Sequence, residues 1–511
     1  HGGCFFGPLR KLVYQANLIV VNHALLLSEG KARMDAGEGM GFLPEHQSVI
    51  IDEAHNIPQA AHRQFTAVLD QRSLKYFLER IDPDHSHSVR WNNQLKSLGA
   101  LHPQFEGMRR DLARSVESCH EYVKDFFDQM AVNSLYKFDS NAKYSTKLII
   151  ENLTEEFGPL SADLERMNRG LHSVRNQVRK LREALMDIDE TKEDFLELHQ
   201  LFDRGESLIT DSLLLIQALT SNQDDDNVYW YEGNFRNIGG RTRLILTVQA
   251  APIDLANDLA SGLFKELTHC ILTSATIRTR DSFDYFLQRT GLNGVEFDDV
   301  QTAVFESPFH YSDQVTYYQY SGGDGQKPDV LAQMILTCHK RYNKRMMVLF
   351  TSRAQLENTY QMLQRHSDGR NLPIYAQKRQ ASRMGLVRGM HQSPNGILLG
   401  TNAFWEGVDL PGDLLEVLII VKMPFDVPTE PLVKAYGNMI ETEGGNRFMD
   451  YALPESVIRF RQGFGRLIRT AYDEGIFIVM DDRIVNKRYG RAFSEAIPVD
   501  YTVFNRVDTL V

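Results

Sequence analysis

The sequence is poor in cysteine. Four occur in 511 residues, Cys4, Cys119, Cys270 and Cys338, too scattered to suggest a disulfide framework. A reducing compartment is the default for such a chain. No run reaches the roughly 18 uninterrupted apolar residues of a membrane span, and no signal peptide is visible. A cytoplasmic protein without membrane association is therefore expected. Basic charge is not in excess either: 56 Lys and Arg against 67 Asp and Glu leave a net charge of -11. That excludes a generic polycation coating nucleic acid or anionic membranes, but not an enzyme with a local basic groove. A starting methionine is also missing, and the first recognisable element already reads as a strand deep inside a domain. The sequence is read as a fragment lacking its amino-terminal part.

What is present is a chain of 42% hydrophobic content, enough for two to four domains with substantial cores. Its organising stretch is Ser48 to Asn56. Val49, Ile50 and Ile51 read as a strand buried on both faces, and Asp52, Glu53 and His55 follow at once. In an open α/β sheet, ligands bind beyond the carboxyl ends of strands. Successive residues leaving a strand point to opposite sides. One carboxylate can then sit near a Mg²⁺ ion carrying nucleotide phosphates while the other reaches an attacking water, as phosphoryl transfer requires. The alternative is a charged helix start favoured by the macrodipole.

Leu18 to Val21 reads as a second buried strand with Asn22 and His23 at its exit. From about residue 60 to 225 the texture is long, charged and helical. Leu160, Leu164, Met167, Leu171, Val174, Val178, Leu181, Leu185 and Ile188 keep a 4-3-4-3 spacing. After the polar turn 189–194 the spacing resumes from Phe195 to Leu219. Two long helices joined by a short loop predict an antiparallel helical hairpin, either an inserted arm or an oligomerising coiled coil. The arm is the preferred reading, because sheet-like sequence flanks it. Strand-like runs return at Tyr229–Tyr231, Arg243–Leu246 and His269–Leu272, with a helix near 253–266. From about 302 strands and helices alternate, with strands at Met346–Phe350, Gly396–Gly400, Val417–Val421 and Gly475–Met480. Such alternation predicts doubly wound parallel sheets. The expected fold class is α/β, with two such units, the first interrupted by a large α-helical insertion.

Five stretches in fixed order carry the chemistry: Asp52-Glu53-Ala54-His55, Thr273-Ser274-Ala275-Thr276, Leu349-Phe350-Thr351-Ser352, Leu399 to Asp409, and Gln462 to Arg469. The set resembles motifs II to VI of superfamily 2 helicases, specifically the DinG/XPD branch. Val21-Asn22-His23-Ala24-Leu25-Leu26, Phe404-Trp405-Glu406-Gly407-Val408-Asp409 and Lys422-Met423-Pro424-Phe425 look closest to bacterial DinG-like proteins. The resemblance spans nearly the whole chain apart from the helical insertion. It implies two RecA-like domains with an arch inserted in the first. The expected divisions are 1–72 and 228–301 for the first domain, 73–227 for the arch and 302–511 for the second domain. It further implies an ATP-dependent helicase moving 5′ to 3′ on single-stranded DNA and separating duplexes in repair or replication. Its cofactors would be ATP and Mg²⁺, and its partners single-stranded DNA, duplex junctions and single-stranded-DNA-binding protein. A monomer is expected.

By that resemblance Asp52 holds Mg²⁺ and Glu53 activates the water. Arg466 and Arg469, three apart on an expected helix, face one direction and suit phosphate oxygens; the alternative is a pair of surface salt-bridge arginines. Gln462 approaches His55 across the cleft, and Gly407 and Asp409 border the nucleotide. His55, Ser274 and Thr276 couple hydrolysis to domain motion. Thr351, Ser352, Thr401 and Asn402 contact strand phosphates. Lys340, Arg341, Lys344, Arg345, Lys378, Arg379, Arg383 and Arg388 line a single-strand track or form solvated faces. Trp405 stacks on a base or packs in a core.

Two departures stand out. The Gly-Lys-Ser/Thr phosphate loop is absent from these 511 residues, so the chain by itself should bind ATP poorly and not turn it over. Cys4 matches the last of four cysteines that hold an iron–sulfur (4Fe-4S) cluster in many members; the other three thiolates would lie upstream. Two rival functions stay open at this level: the helicase-like part of an exonuclease–helicase fusion acting mainly as a nuclease, and a non-catalytic nucleic-acid-binding module.

Overall fold

Short β-branched runs between amphipathic helices build three separate sheets among the described residues. The computed structural model describes residues 12–36, 43–142, 144–188, 195–221, 225–279, 281–294, 297, 299–377, 382–405 and 414–510. The strands are β1 (Ser48–Ile51), β2 (Ala67–Asp70), β3 (Thr146–Ile149), β4 (Asn227–Ile238), β5 (Arg241–Pro252), β6 (His269–Leu272), β7 (Val315–Tyr320), β8 (Met346–Leu349), β9 (Ile374–Ala376), β10 (Ile397–Gly400), β11 (Val417–Ile420), β12 (Gly475–Val479) and β13 (Tyr501–Phe504).

The second lobe holds a seven-stranded sheet in the order β13-β7-β12-β11-β8-β10-β9, parallel throughout. Every residue of β8, β10 and β11 is buried, as expected when helices cover both faces of a parallel sheet. Met347, Leu349, Leu398 and Leu418 feed one apolar cluster, while Met346, Val348, Leu399 and Val417 feed another on the opposite face. The period of two along each strand thus divides the core. The four strands expected in this region are present.

In the first lobe β1 pairs in parallel with β6, with Ile51 beside Leu272. Two expectations fail here. Ile50 is 71% exposed, so β1 is buried on one face only. Leu18 to Val21 is irregular, with Leu18 and Val20 81% and 88% exposed. A strand needs a hydrogen-bonded neighbour, and β6 is the one strand paired with β1 among the described residues. The folded side of the pair packs on the helices His23–Ala36 and Ile57–Phe65 through Leu26, Leu27, Ile51, Ile57 and Ala61.

The helical hairpin forms as its spacing predicts. Helices Ser161–Met186 and Leu196–Thr220 bury Leu164, Met167, Leu171, Val174, Val178, Leu181 and Leu185, and then Leu198, Phe202, Ile209, Ile216 and Leu219. Arg182 reaches across to Asp203 and Glu206 at 3.0 and 2.7 Å. A 31-residue helix, Gln104–Ser134, completes the packing through Val116, Cys119, Val123 and Phe126. β4 and β5 do not join the β1–β6 pair. They form a long hairpin closed by Gly239 and Gly240, both at positive φ (59° and 80°), the conformation that two-residue hairpin turns require. With β2 and β3 they make an antiparallel sheet in the order β2-β5-β4-β3. Tyr229 and Tyr231 join the helical core; Val228 and Trp230 point the other way, against Leu432 and Ala435 of the second-lobe helix Pro431–Thr442. This sheet therefore ties the helical unit to the second lobe.

Candidate active site

The acidic residues leave β1 where its partner β6 also ends. Asp52 Oδ1 accepts hydrogen bonds from the Glu53 backbone N–H and from Thr273 Oγ1, each at 2.9 Å. Its backbone oxygen contacts His23 Nε2 at 2.8 Å. Glu53 adopts a left-handed backbone, φ 51° and ψ 43°, which costs an L-residue about 1–2 kcal/mol. A side chain in the left-handed region at a strand exit marks a place where geometry outranks local stability. The twist turns the chain into the 3₁₀ segment Ala54–Asn56, and the Ala54 N–H donates to Thr273 O at 2.9 Å. The Glu53 carboxylate is 60% exposed and stands 3.4 Å from His55 Nδ1. His55 Nδ1 also meets Ser274 Oγ at 2.7 Å, and Ser274 Oγ accepts the Thr276 N–H at 3.0 Å. Asp52, Glu53, His55, Ser274 and Thr276 are thus one connected group, and Thr273 belongs with them.

Burial pushes the His55 imidazole down to about 4, with His23 adding to the effect and Asp52 opposing it. His62, buried on the next helix, is pushed down to about 3 by burial and by Arg289. Both lie below the ordinary 6.5, so the unfolded chain takes up these protons first. Stability is then full above about pH 6.5 and falls as pH drops toward 4, by about 1.4 kcal/mol per pH unit for each group. Thermal melting between pH 6.5 and 5 should show this decline, and His62→Gln should make it shallower. An unchanged slope would show that His62 takes its proton normally in the folded state.

The second lobe contributes the helix Leu453–Phe464. Arg461 crosses from it to the first lobe, donating to Ala275 O and Arg278 O at 2.9 Å each. The backbone carrying Ser274 and Thr276 is therefore held from both sides. Among the described residues Gln462 makes no hydrogen bond to His55, and its buried Oε1 has no partner. Arg466 and Arg469 also do not share a helical face. The helix ends at Phe464, and the Gly465-containing turn sends the two side chains apart. Arg466 is buried and donates its Nε to Trp405 O at 2.9 Å. Arg469 is exposed, and its guanidinium makes no hydrogen bond or ion pair among the described residues; only its backbone N–H is engaged, by Asp473 at 2.7 Å. Trp405 is buried, with its Nε1 donating to Phe350 O at 3.4 Å, which places it in the core.

Adjacent strands β8 and β10, in register at Leu349 and Gly400, bring Thr351 and Ser352 beside Thr401 and Asn402. Ser352 caps the helix Arg353–Arg365. Thr401 is buried, with its N–H and Oγ1 donating to Gln377 Oε1 at 2.8 and 2.9 Å. The Lys340–Arg345 cluster lies at the opposite, amino edge of the sheet, because it precedes β8. Its members hold local groups: Arg341 the Leu510 carbonyl, Lys344 Glu416, and Arg345 the Ser393 carbonyl. It does not flank the strand exits. Cys4, Lys378, Arg379, Gly407 and Asp409 lie outside the described residues.

The described cysteines do not fit an iron–sulfur cluster. Cys119, Cys270 and Cys338 sit on three separate elements, and burial raises their thiols to about 12, 11 and 12, whereas cluster ligation takes four thiolates. Two important residues escaped the sequence. Arg461 had only its place beside Gln462 as a signal. Arg289 had none: it lies buried on Asp284–Thr290 under the rings of Tyr436 at 4.1 Å and Tyr451 at 5.5 Å. Nearby, Tyr285 donates to Glu455 at 2.6 Å.

Residues 335–500 match the helicase C-terminal domain family. The chain is 29% identical over 510 residues to the 3′-5′ exonuclease DinG of Bacillus subtilis, covering 97% of this chain and 53% of that protein. It is 27% identical over 530 residues to the ATP-dependent DNA helicase DinG of Photobacterium profundum, covering 98% of this chain and 70% of that one. Among solved structures, an XPD helicase superposes with a TM-score of 0.56 at 14% identity, covering 98% of this chain and 75% of that one. The chain is similar to helicases of the DinG/XPD superfamily 2 type. Its fold, with two RecA-like sheets and a helical insertion, is shared with those neighbours. It spans about half the length of the Bacillus relative. No helix among the described residues is long and apolar enough to cross a membrane.

Proposed function

We propose that this DinG/XPD-type chain forms the motor of an ATP-dependent DNA helicase that moves along single-stranded DNA, 5′ to 3′, and separates duplexes. The observation that carries the reading is the Thr273–Arg278 segment. One end of it binds Asp52 through the Thr273 hydroxyl, and the other receives Arg461 from the second lobe. Chemistry at the acids is thereby joined mechanically to the sheet whose strand exits would hold DNA.

Asp52 suits Mg²⁺ held through water: its Oδ1 is already engaged, and the exposed side chain leaves the other oxygen open to solvent. When bound, Mg²⁺ supplies charge neutralisation at the nucleotide phosphates. Glu53 orients the attacking water and takes its proton. Arg469, exposed and unengaged, closes on the phosphoryl oxygens; Arg466 fixes the turn after the helix Leu453–Phe464 against Trp405. His55, Ser274 and Thr276 transmit the change, and Gly407 and Asp409 border the nucleotide. Thr351, Ser352, Thr401 and Asn402 form the phosphate-facing edge for the DNA strand, with the Thr401 hydroxyl already committed to Gln377.

A test of that edge uses Ser352→Asp. Aspartate caps a helix as well as serine does, so the fold is kept, while the added charge opposes DNA phosphates. Single-stranded DNA binding should weaken about ten-fold, about 1.4 kcal/mol; unchanged affinity would remove the strand exits from the DNA path. A second reading follows from the Bacillus relative named as an exonuclease: the motor would serve a nuclease elsewhere in a longer protein. Degradation of 3′ ends by the full-length protein, with no unwinding, would favour it.

A further inference from the structure

Outside the motor site, one cluster in the helical unit has the donors and the spacing of a metal site. Glu79 lies in the last turn of the helix Gln71–Ile81, and His85 and His87 follow on the connecting loop. One ligand atom from each of the three lies within 4.8 Å of the other two. The two imidazole rings have centroids 4.8 Å apart at 51°. The loop is held in this shape by bonds that do not engage the ligand side chains. Asp84 N–H donates to Asp82 Oδ1 at 2.9 Å, Ser88 Oγ donates to His85 O at 2.8 Å, and Arg109 pairs with Asp84 at 3.1 Å. Glu79 and His85 also line one end of an open groove of about 930 Å³, which leaves room for water on an ion.

We propose that Glu79, His85 and His87 bind a divalent transition-metal ion, with zinc as the expected occupant. Two imidazole nitrogens and one carboxylate oxygen are a zinc donor set that leaves a fourth, water-filled position. Calcium and magnesium prefer all-oxygen surroundings and do not match it. Two existing contacts yield to the ion. Lys75, itself exposed, stands 3.6 Å from the partly buried Glu79, a contact at the surface that contributes little. His85 Nδ1 accepts the His87 N–H at 3.3 Å. Metal on Nδ1 replaces that contact directly, whereas metal on Nε2 moves the ring proton to Nδ1. The ion fastens the loop after Ile81 back onto its helix. This assignment is independent of the motor reading.

The test is titration of metal-stripped, tag-free protein with Zn²⁺ against a chromophoric chelator. One ion per chain is expected, together with a melting temperature that rises with zinc concentration. His87 is exposed, so His87→Ala retains the fold, and its circular dichroism and zinc-free melting should match the parent. It should weaken binding about ten-fold or more and lose the zinc-dependent melting shift. Glu79→Gln should weaken binding as well. The exposed second-lobe His366→Ala should leave binding unchanged. Absence of stoichiometric zinc, or wild-type affinity in His87→Ala, overturns the assignment.

Discussion

Replacing Glu53 by glutamine in the full-length protein should lower DNA-stimulated ATP hydrolysis by about 10²–10⁴-fold, the usual contribution of a positioned general base. Single-stranded DNA binding should persist. Glutamine keeps the length of the side chain, its exposure and the left-handed backbone at φ 51°, and it loses only the ability to take a proton. His55 does not stand in for it, because its side chain is buried away from solvent and its Nδ1 already meets Ser274 Oγ. The measurement is steady-state ATPase with and without single-stranded DNA, beside a DNA-binding curve for the same preparation. A variant that hydrolyses ATP at the parental rate would end the assignment of Glu53 and, with it, the motor reading.

Arg469→Ala should have an equal or larger effect, about 10³–10⁵ in turnover, if its guanidinium meets the transferring phosphoryl group. The same change should leave thermal stability within about 0.5 kcal/mol, as for an exposed side chain without partners. Arg466→Ala provides the contrast. It leaves the buried Trp405 carbonyl without its donor, which costs about 1–3 kcal/mol of stability in addition to any kinetic loss. Activity measured alongside melting separates the two arginines. Full turnover in Arg469→Ala would assign the phosphate contact elsewhere.

Much of this molecule was legible in its sequence where period and chemistry agreed. The hairpin from Leu160 to Leu219 announced itself because a 4-3-4-3 stripe must be buried against another helix, and the structure buries it within the chain. The β8, β10 and β11 runs were readable because a strand covered on both faces has no polar position to confuse it. Local pattern failed where the outcome depended on a neighbour. Leu18 to Val21 has the composition of a strand and, among the described residues, no partner to pair with. Tyr229 to Leu246 reads as strand in any context; sequence could not tell that its partners are β2 and β3. Arg466 and Arg469 were placed on one helix because their spacing fits, but two glycines and a turn decide otherwise. In the site, the acids could be found from type and position. Arg461 and Arg289 act through contacts with residues nearly two hundred and about 150 positions away in the chain, which no local signal reports.

Arg289 has one more implication. Its charge is sheathed by Tyr436 and Tyr451 from the second lobe, and each cation–π contact contributes about 0.5–2 kcal/mol when desolvated. Pulling the lobes straight apart would strip both rings at once, whereas swivelling about that point keeps them. A buried cation clasped by two rings of the other lobe thus acts as a pivot point rather than a latch, with the Arg461 contacts on the helix beside it.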